Sequence, residues 1–324
     1  MTEPQASEKA LLPPPAWPSD RPAAADSQPV ARRRGALTWP TEAPLTQAII
    51  ALNTAIFLVE ASLSQSLSEF PSRLALQLGA CYGLATIGEL RFETLVTACF
   101  LHAGLVHLAF NMIALWQAGP LLERAVGAAR MAPMYLFAGA FGNGLSVAVG
   151  WWTRSGSYSV GASGAVCGVI GATMVLAWRT QGFRAPLTQA MARWLGFVLL
   201  FGLLSTRVRV DNLAHAGGAL AGGAIALTWR RGPAPSPGAT AAVVSACAAL
   251  LVACIGVVSF RNRTDFFSPM LLIERSEFTR DALQDGRCDD ALAGLRAVER
   301  LRASMAPVRL RAMFQETCGA IESR

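Results

Sequence analysis

The fold class can be read from residues 239–260, whose sequence is ATAAVVSACAALLVACIGVVSF. It contains no charged residue, and it is longer than the roughly 18 apolar residues that a helix needs to cross a bilayer. Six further apolar stretches precede it, at residues 43–63, 104–122, 131–152, 163–178, 187–205 and 213–229. The sequence therefore predicts an all-α polytopic membrane protein with seven transmembrane helices.

The composition of the 324-residue chain indicates the same class. Hydrophobic residues make up 53% of it and charged residues only 15%, against about 25% charge in an ordinary soluble domain. These values exclude a soluble globular enzyme, a disordered protein and a fibrous one. The net charge of +7 does not indicate nucleic-acid binding, because no long basic run accompanies it and arginines beside membrane spans explain it.

The chain divides into four segments. Residues 1–42 are rich in proline, alanine and serine, so they predict a disordered tail, and they lack the apolar core of a cleavable signal peptide. Residues 43–231 hold the first six spans, and residues 232–261 hold a linker and the seventh. Residues 262–324 are charged and amphipathic, which predicts helices outside the membrane.

The positions of the arginines predict the orientation. Arg32–Arg34 precede the first span, which favours a cytoplasmic N-terminus. With that orientation, the inner connections carry seven arginines and the outer connections carry five. An odd number of spans then places the C-terminal segment outside. We expect a multi-pass protein of a bacterial inner membrane.

Cys288 and Cys318 are the only cysteines of the C-terminal segment. Helical periodicity at about 289–303, and again beyond Pro307, predicts an antiparallel hairpin that brings the two cysteines to the same level. An exported segment meets an oxidising compartment, so we predict a disulfide between them. Two free thiols in a solvated hairpin are the alternative.

Polar residues at membrane depth indicate where function resides. His102, His107 and His215 are the only histidines, and all three lie at or inside predicted spans, where polar side chains are costly to bury. They fall at the same predicted depth as Ser163, because spans two, four and six all descend from the outer face. Asn111 follows His107 by one helical turn, so the two side chains share a face.

Glycines favour close packing of spans four and six. Gly164 begins a small-xxx-small pair in span four, and Gly218 begins a matching pair in span six. Two such helices can approach backbone to backbone. That approach would bring Ser163 Oγ within hydrogen-bond reach of a ring nitrogen of His215, which is the geometry of a nucleophile and its base.

Four motifs in this order resemble the rhomboid intramembrane serine proteases. They are HAGLVHLAFN at residues 102–111, GPLLERAVG at 119–127, GASGA at 161–165 and DNLAHAGG at 211–218. The resemblance covers approximately residues 45–230. It implies a six-helix rhomboid core with a water-filled cavity open to the outer face, to which this chain adds a seventh C-terminal transmembrane helix.

The resemblance also implies a role for each site residue. Ser163 would be the nucleophile and His215 the general base, without a third acidic residue, since Asp211 is placed to cap a helix. His107 and Asn111 match the positions that stabilise the oxyanion. The reaction implied is hydrolysis of a peptide bond in a transmembrane protein substrate through an acyl-enzyme, with no cofactor and no metal. The supporting positions are His102, Gly161, Gly164 and Gly218.

The chain departs from the family pattern at two places. The family often carries Trp-Arg in the first outer loop, where this sequence has Glu93 and Thr94. Four residues after the nucleophile the family usually has an aromatic residue that stacks under the catalytic histidine, where this sequence has Cys167. These differences affect the first outer loop and the packing under His215. The nucleophile and the general base that the resemblance implies are both present.

Other functions fit the sequence less well. Three histidines can hold a catalytic zinc ion, but His102 and His107 are not an i,i+4 pair and no His-Glu-x-x-His motif is present. A transporter would be expected to carry internal repeats and broken helices, and no convincing repeat is visible. An inactive rhomboid relative that only binds membrane proteins would usually lack the serine or the histidine.

Overall fold

The computed structural model describes residues 43–153, 158–205, 210–230, 235–265, 275, 278–301 and 308–319. The predicted tail at 1–42 and the predicted hairpin turn near Pro307 lie outside these residues. The long helices coincide with the predicted spans. The α-helices, in chain order, are α1 (Pro44–Ser64), α2 (Ser72–Gln77), α3 (Thr94–Thr97), α4 (Leu105–Val126), α5 (Ala128–Trp152), α6 (Ser163–Gln181), α7 (Pro186–Leu204), α8 (Asn212–Thr228), α9 (Pro237–Asp265), α10 (Cys288–Leu301) and α11 (Val308–Cys318).

The predicted all-α polytopic fold is confirmed. Among the described residues, six helices are long and apolar enough to cross a membrane, namely α1, α4, α5, α6, α7 and α9. Helix α8, which corresponds to the predicted sixth span, has 17 residues and is shorter than these six. The count of seven membrane spans therefore stays a prediction.

Helix α6 lies at the centre of the bundle. About 67% of it is buried, whereas only 11% of α7 is, and α6 packs against α4, α5, α7 and α8. A Cβ atom at Gly218 would overlap the carbonyl oxygen of Gly164, and one at Gly222 would overlap that of Gly168. The two helices thus touch backbone to backbone, as the glycine pairs predict.

The connection between α1 and α4, residues 65–104, is called here the L1 segment. It contains α2, α3, strand β1 (Cys81–Tyr82), a π-helical turn (Leu84–Gly88) and a 3₁₀ turn (Ala98–Phe100). Strand β1 pairs antiparallel with β2 (Tyr158–Ser159), which leads into α6. Hydrophobic periodicity does not predict this pairing, because each strand is only two residues long.

Charged side chains close the opposite end of the bundle. The carboxylate of Glu123, near the end of α4, accepts hydrogen bonds from the backbone N–H groups of Leu45 and Thr46 at 2.9 and 2.8 Å. These N–H groups begin α1 and have no partner within their own helix. Arg179, near the end of α6, donates to the carbonyl oxygens of Ala226 and Leu227 at the end of α8. Both contacts join the helix ends that lie away from Ser163.

The C-terminal segment contains a small helical hairpin. Helices α10 and α11 are joined by a disulfide between Cys288 and Cys318, whose Cα atoms lie 5.7 Å apart. The predicted pairing is confirmed, while the side of the membrane on which the hairpin lies stays a prediction. Ala282 and Leu283, from the helical residues that precede α10, pack with Ala291, Leu295 and Phe314 of the hairpin into a small apolar core.

Candidate active site

Three helices begin at one end of the bundle and bring the predicted site residues together. Ser163 is the first residue of α6, His107 lies in the first turn of α4, and His215 lies in the first turn of α8. The distance from Ser163 Oγ to His215 Nε2 is 2.8 Å. The predicted contact between the two side chains is confirmed, and it is short enough for proton transfer between them.

Asp211 caps the helix that carries His215. Its Oδ1 accepts the backbone N–H of Ala214 at 3.0 Å, and its Oδ2 accepts the hydroxyl of Ser146 at 2.6 Å. Nδ1 of His215 is buried and has no hydrogen-bond partner in the described part of the chain. The pair therefore lacks the Asp–His contact of a Ser-His-Asp triad, and the contact between Asp211 and Ser146 instead fastens the start of α8 to α5.

His107 also lies close to Ser163. Its Nδ1 accepts the backbone N–H of Ala103 at 3.4 Å, so the ring proton lies on Nε2. A methyl group at Gly161 would lie 2.8 Å from this Nε2 and 3.5 Å from Ser163 Oγ. Gly161 also has φ at 131°, which only glycine adopts readily. The glycine thus leaves open the space between the imidazole and the hydroxyl.

Asn111 adds a free donor to this side of the site. It is buried, and within the residues that the structure describes its Nδ2 has no hydrogen-bond acceptor. A buried N–H group without an acceptor is costly. The start of α6 adds backbone N–H groups that no side chain caps in the described structure. Donors of both kinds are the type of group that stabilises a negatively charged oxygen in acyl transfer.

His102 supports His107 and does not reach Ser163. Its ring packs edge-on against the ring of His107, with 5.4 Å between the ring centroids. Burial, reinforced by His107, lowers the pKa of His102 to about 3, which keeps the ring neutral. Its backbone N–H donates to both oxygens of Glu60, at 3.2 and 3.1 Å. The sequence analysis assigns no role to Glu60, although a carboxylate inside an apolar span is a candidate for a functional residue.

Cys167 is buried in α6, one turn after Ser163, and is only 3% exposed. Within the described residues, no group of three His, Cys, Asp or Glu side chains is placed to hold a metal ion.

Comparisons with known proteins identify the family. A model of the Rhomboid domain matches residues 89–232, which include every predicted site residue. Rhomboid protease AarA of Providencia stuartii is 28% identical over 255 residues, which cover 72% of this chain and 87% of that protein. Rhomboid protease GluP of Bacillus subtilis is 33% identical over 135 residues, which cover 40% of this chain and 24% of that protein.

A further relative is RHOMBOID-like protein 6, mitochondrial, of Arabidopsis thaliana. It is 36% identical over 131 residues, which cover 40% of this chain and 40% of that protein. The chain thus spans less than half the length of the Bacillus and Arabidopsis relatives, and most of the Providencia one. The four motifs, the membrane helices and the family model agree: residues 89–232 of the chain form a Rhomboid domain.

Proposed function

We propose that the protein is an intramembrane serine endopeptidase. The observation that carries this proposal is the 2.8 Å hydrogen bond between Ser163 Oγ and His215 Nε2, placed at one end of a bundle of apolar helices. The relatives named as rhomboid proteases support the same activity. The substrates proposed are transmembrane helices of other proteins, cut in the membrane or just outside it.

The reaction would begin at the hydroxyl of Ser163. His215 Nε2 takes the hydroxyl proton while Oγ attacks the carbonyl carbon of the scissile peptide bond. The carbonyl oxygen becomes negatively charged and accepts hydrogen bonds from His107 Nε2–H, Asn111 Nδ2 and the start of α6. His215 then gives its proton to the leaving amine, and an acyl-enzyme on Ser163 remains. A water molecule, deprotonated by His215, hydrolyses this ester.

Substrate choice follows from the same chemistry. A peptide carbonyl in an intact helix is hydrogen-bonded and covered by side chains, so the helix must unwind before Ser163 can reach it. We expect substrates with small residues at the cut and with helices that open easily. Neither the formation nor the hydrolysis of the acyl-enzyme needs a cofactor, because the nucleophile, base and oxyanion donors all come from the chain.

The proposal is tested with the full chain purified in detergent and a single-span model substrate. Ser163→Ala and His215→Ala should each abolish cleavage, and a fluorophosphonate probe should label only the wild type. Ser245→Ala is the matched control, since Ser245 is an exposed serine of another apolar helix. A variant without the Ser163 hydroxyl that cleaves normally would refute the proposal. A wild type that binds substrate but neither cleaves it nor reacts with the probe would indicate a membrane-protein binding factor.

We further propose that the catalytic end of the bundle faces the outer side of a bacterial inner membrane. The C-terminal end of α9 lies against the L1 segment, and the disulfide of the following hairpin suits an oxidising compartment. Alkylation of thiols in intact cells, with and without reductant, should find Cys288 and Cys318 protected until reduction. Free thiols, or digestion of the hairpin only from the cytoplasmic side, would contradict this orientation and indicate the opposite one.

A further inference from the structure

Arg261 lies near the end of α9, outside the matched rhomboid domain, and its side chain reaches the L1 segment. Its Nη1 donates to the backbone carbonyl oxygens of Glu89 and Leu90, both at 3.2 Å, and its Nε lies 3.8 Å from Oε1 of Glu93 in an ion pair. Leu90 has a left-handed backbone, with φ at 56°, which a non-glycine residue adopts at a cost. Arg261 therefore holds a strained turn.

Asn262 makes a second contact with the same segment. Its Nδ2 donates to the backbone carbonyl oxygen of Gln77 at 2.6 Å, and its Oδ1 accepts from Nη1 of Arg91 at 3.4 Å. One turn earlier, a methyl group of Val258 lies 3.1 Å from where a Cβ atom of Gly79 would stand. One face of α9 thus packs closely against L1.

The L1 segment in turn supports the chain that leads into the nucleophile. The backbone N–H of Gly161 donates to the carbonyl oxygen of Ala98 at 2.9 Å. Strands β1 and β2 pair, which places Cys81 opposite Ser159. Gly161 lies beside both the imidazole of His107 and the hydroxyl of Ser163. A displacement of L1 would therefore be transmitted to the hydroxyl and to its neighbouring oxyanion donors.

The departure at Glu93 fits this arrangement. The family resemblance leads us to expect a tryptophan at this position, and the chain instead has a carboxylate that is largely buried. Its basic partner, Arg261, comes from a helix beyond the matched domain. The two unusual features therefore complement each other in space, although 168 positions separate them in the chain.

We propose that Arg261 and Asn262 are positioning residues, through which α9 holds the L1 segment and, by way of it, the geometry around Ser163. Neither residue touches the reacting atoms. The proposal rests on the proposed protease function for its effect on turnover, but its effect on L1 can be measured without any substrate.

Cys81 offers that independent measurement. Its thiol is buried inside L1, with Sγ 3.1 Å from the carbonyl oxygen of Thr94, and burial raises its pKa. Burial and the raised pKa keep the Cys81 thiol unreactive while the L1 segment keeps its structure. Cys167, buried in α6, is the internal reference because it lies in the bundle centre. Alkylation of the full chain in native membranes, read by mass spectrometry at each cysteine, separates loosening of L1 from general unfolding.

The test compares Arg261→Met, which keeps the aliphatic stem, with Arg263→Met. Arg263 is an exposed arginine at the same end of α9 and serves as the matched control. Arg261→Met should raise the alkylation rate of Cys81 about tenfold, as expected for local opening, and leave Cys167 unchanged. It should lower kcat about tenfold while KM changes less than about twofold, since small displacements of catalytic groups affect turnover. Arg261→Lys, which keeps the positive charge and one donor nitrogen, should show smaller changes than Arg261→Met in both measurements, and so should Asn262→Ala.

Several results would overturn the proposal. Unchanged alkylation of Cys81 in Arg261→Met would show that α9 does not hold L1. Equal exposure of Cys81 and Cys167 would show that the arginine serves overall stability. A purely higher KM would place Arg261 in substrate binding. If the wild type cleaves nothing, the proposed function fails, and the Cys81 measurement still decides whether α9 holds L1.

Discussion

A single methyl group at Gly222 should separate the two helices that carry Ser163 and His215. In Gly222→Ala the added Cβ would lie 2.6 Å from the carbonyl carbon and 2.7 Å from the Cα of Gly168, whereas ordinary contacts begin at 3.4 Å. The opposing atoms are backbone atoms, which no rotamer change can move aside. Helix α8 must therefore move away from α6 by roughly an ångström, and overpacking of this kind costs about 1–3 kcal/mol of stability.

The displacement would reach the site because His215 lies two helical turns before Gly222 in α8. The hydrogen bond from Ser163 to His215 is now 2.8 Å, and a shift of roughly an ångström would take it beyond hydrogen-bonding distance. A misplacement of that size costs on the order of 100-fold in rate. We expect Gly222→Ala to lower kcat on a transmembrane substrate by that factor, with a parallel loss of fluorophosphonate labelling.

The neighbouring glycine provides the control. In Gly223→Ala the added Cβ would meet a methyl group of Val175 at 3.3 Å, which can adjust, and the carbonyl oxygen of Gly171 at an ordinary contact distance of 3.8 Å. This variant should keep kcat within about twofold of the wild type, since a side chain that can move accommodates the added methyl group without displacing the helix backbone. Wild-type turnover in Gly222→Ala, with the protein folded, would refute the argument that backbone contact between α6 and α8 sets the geometry of the site.

Three further predictions concern single groups. Asn111→Ala should lower kcat by about 10²–10³-fold with little change in KM, as for other oxyanion donors; steady-state kinetics that show only a higher KM would remove Asn111 from that role. Arg179→Met should lower stability by about 1.5–3 kcal/mol, since charged hydrogen bonds to the end of α8 are lost; an unchanged melting temperature would contradict this. Cys288→Ser should make the hairpin sensitive to protease, because a disulfide across a loop of this size is worth about 3 kcal/mol, while cleavage of the model substrate stays at the wild-type rate; equal digestion of variant and wild type would contradict it.

The sequence predicts the parts of the molecule that depend on local patterns. Apolar stretches fix the long helices, since 18 or so residues without charge have few alternatives to a membrane span. The spacing of glycines predicts the contact between α6 and α8, and the order of motifs predicts which residues meet at its end. Asp211 is also predicted as a cap, because the start of a helix calls for such a residue.

The remaining features depend on residues far apart in the chain. The L1 segment is built from elements of two to six residues, too short to give a period. The contacts of Glu60 with His102 and of Arg261 with Glu93 join positions that no local pattern relates. A carboxylate in α1 and an arginine at the end of α9 are visible in the sequence as unusual charges, but only the folded chain shows what each one meets.

The shortness of α8 has a consequence for the supply of water. Seventeen residues extend about 25 Å along a helix axis, less than the roughly 30 Å thickness of the hydrocarbon core. Both ends of α8 nevertheless carry polar groups, with Asp211 at one end and the arginine-bound carbonyl oxygens at the other. If α8 crosses the membrane as predicted, the polar layer has to dip below the average membrane surface around this helix. At the end that holds His215, such a dip would carry solvent to the acyl-enzyme of the proposed reaction, without opening the lipid-facing side of the bundle.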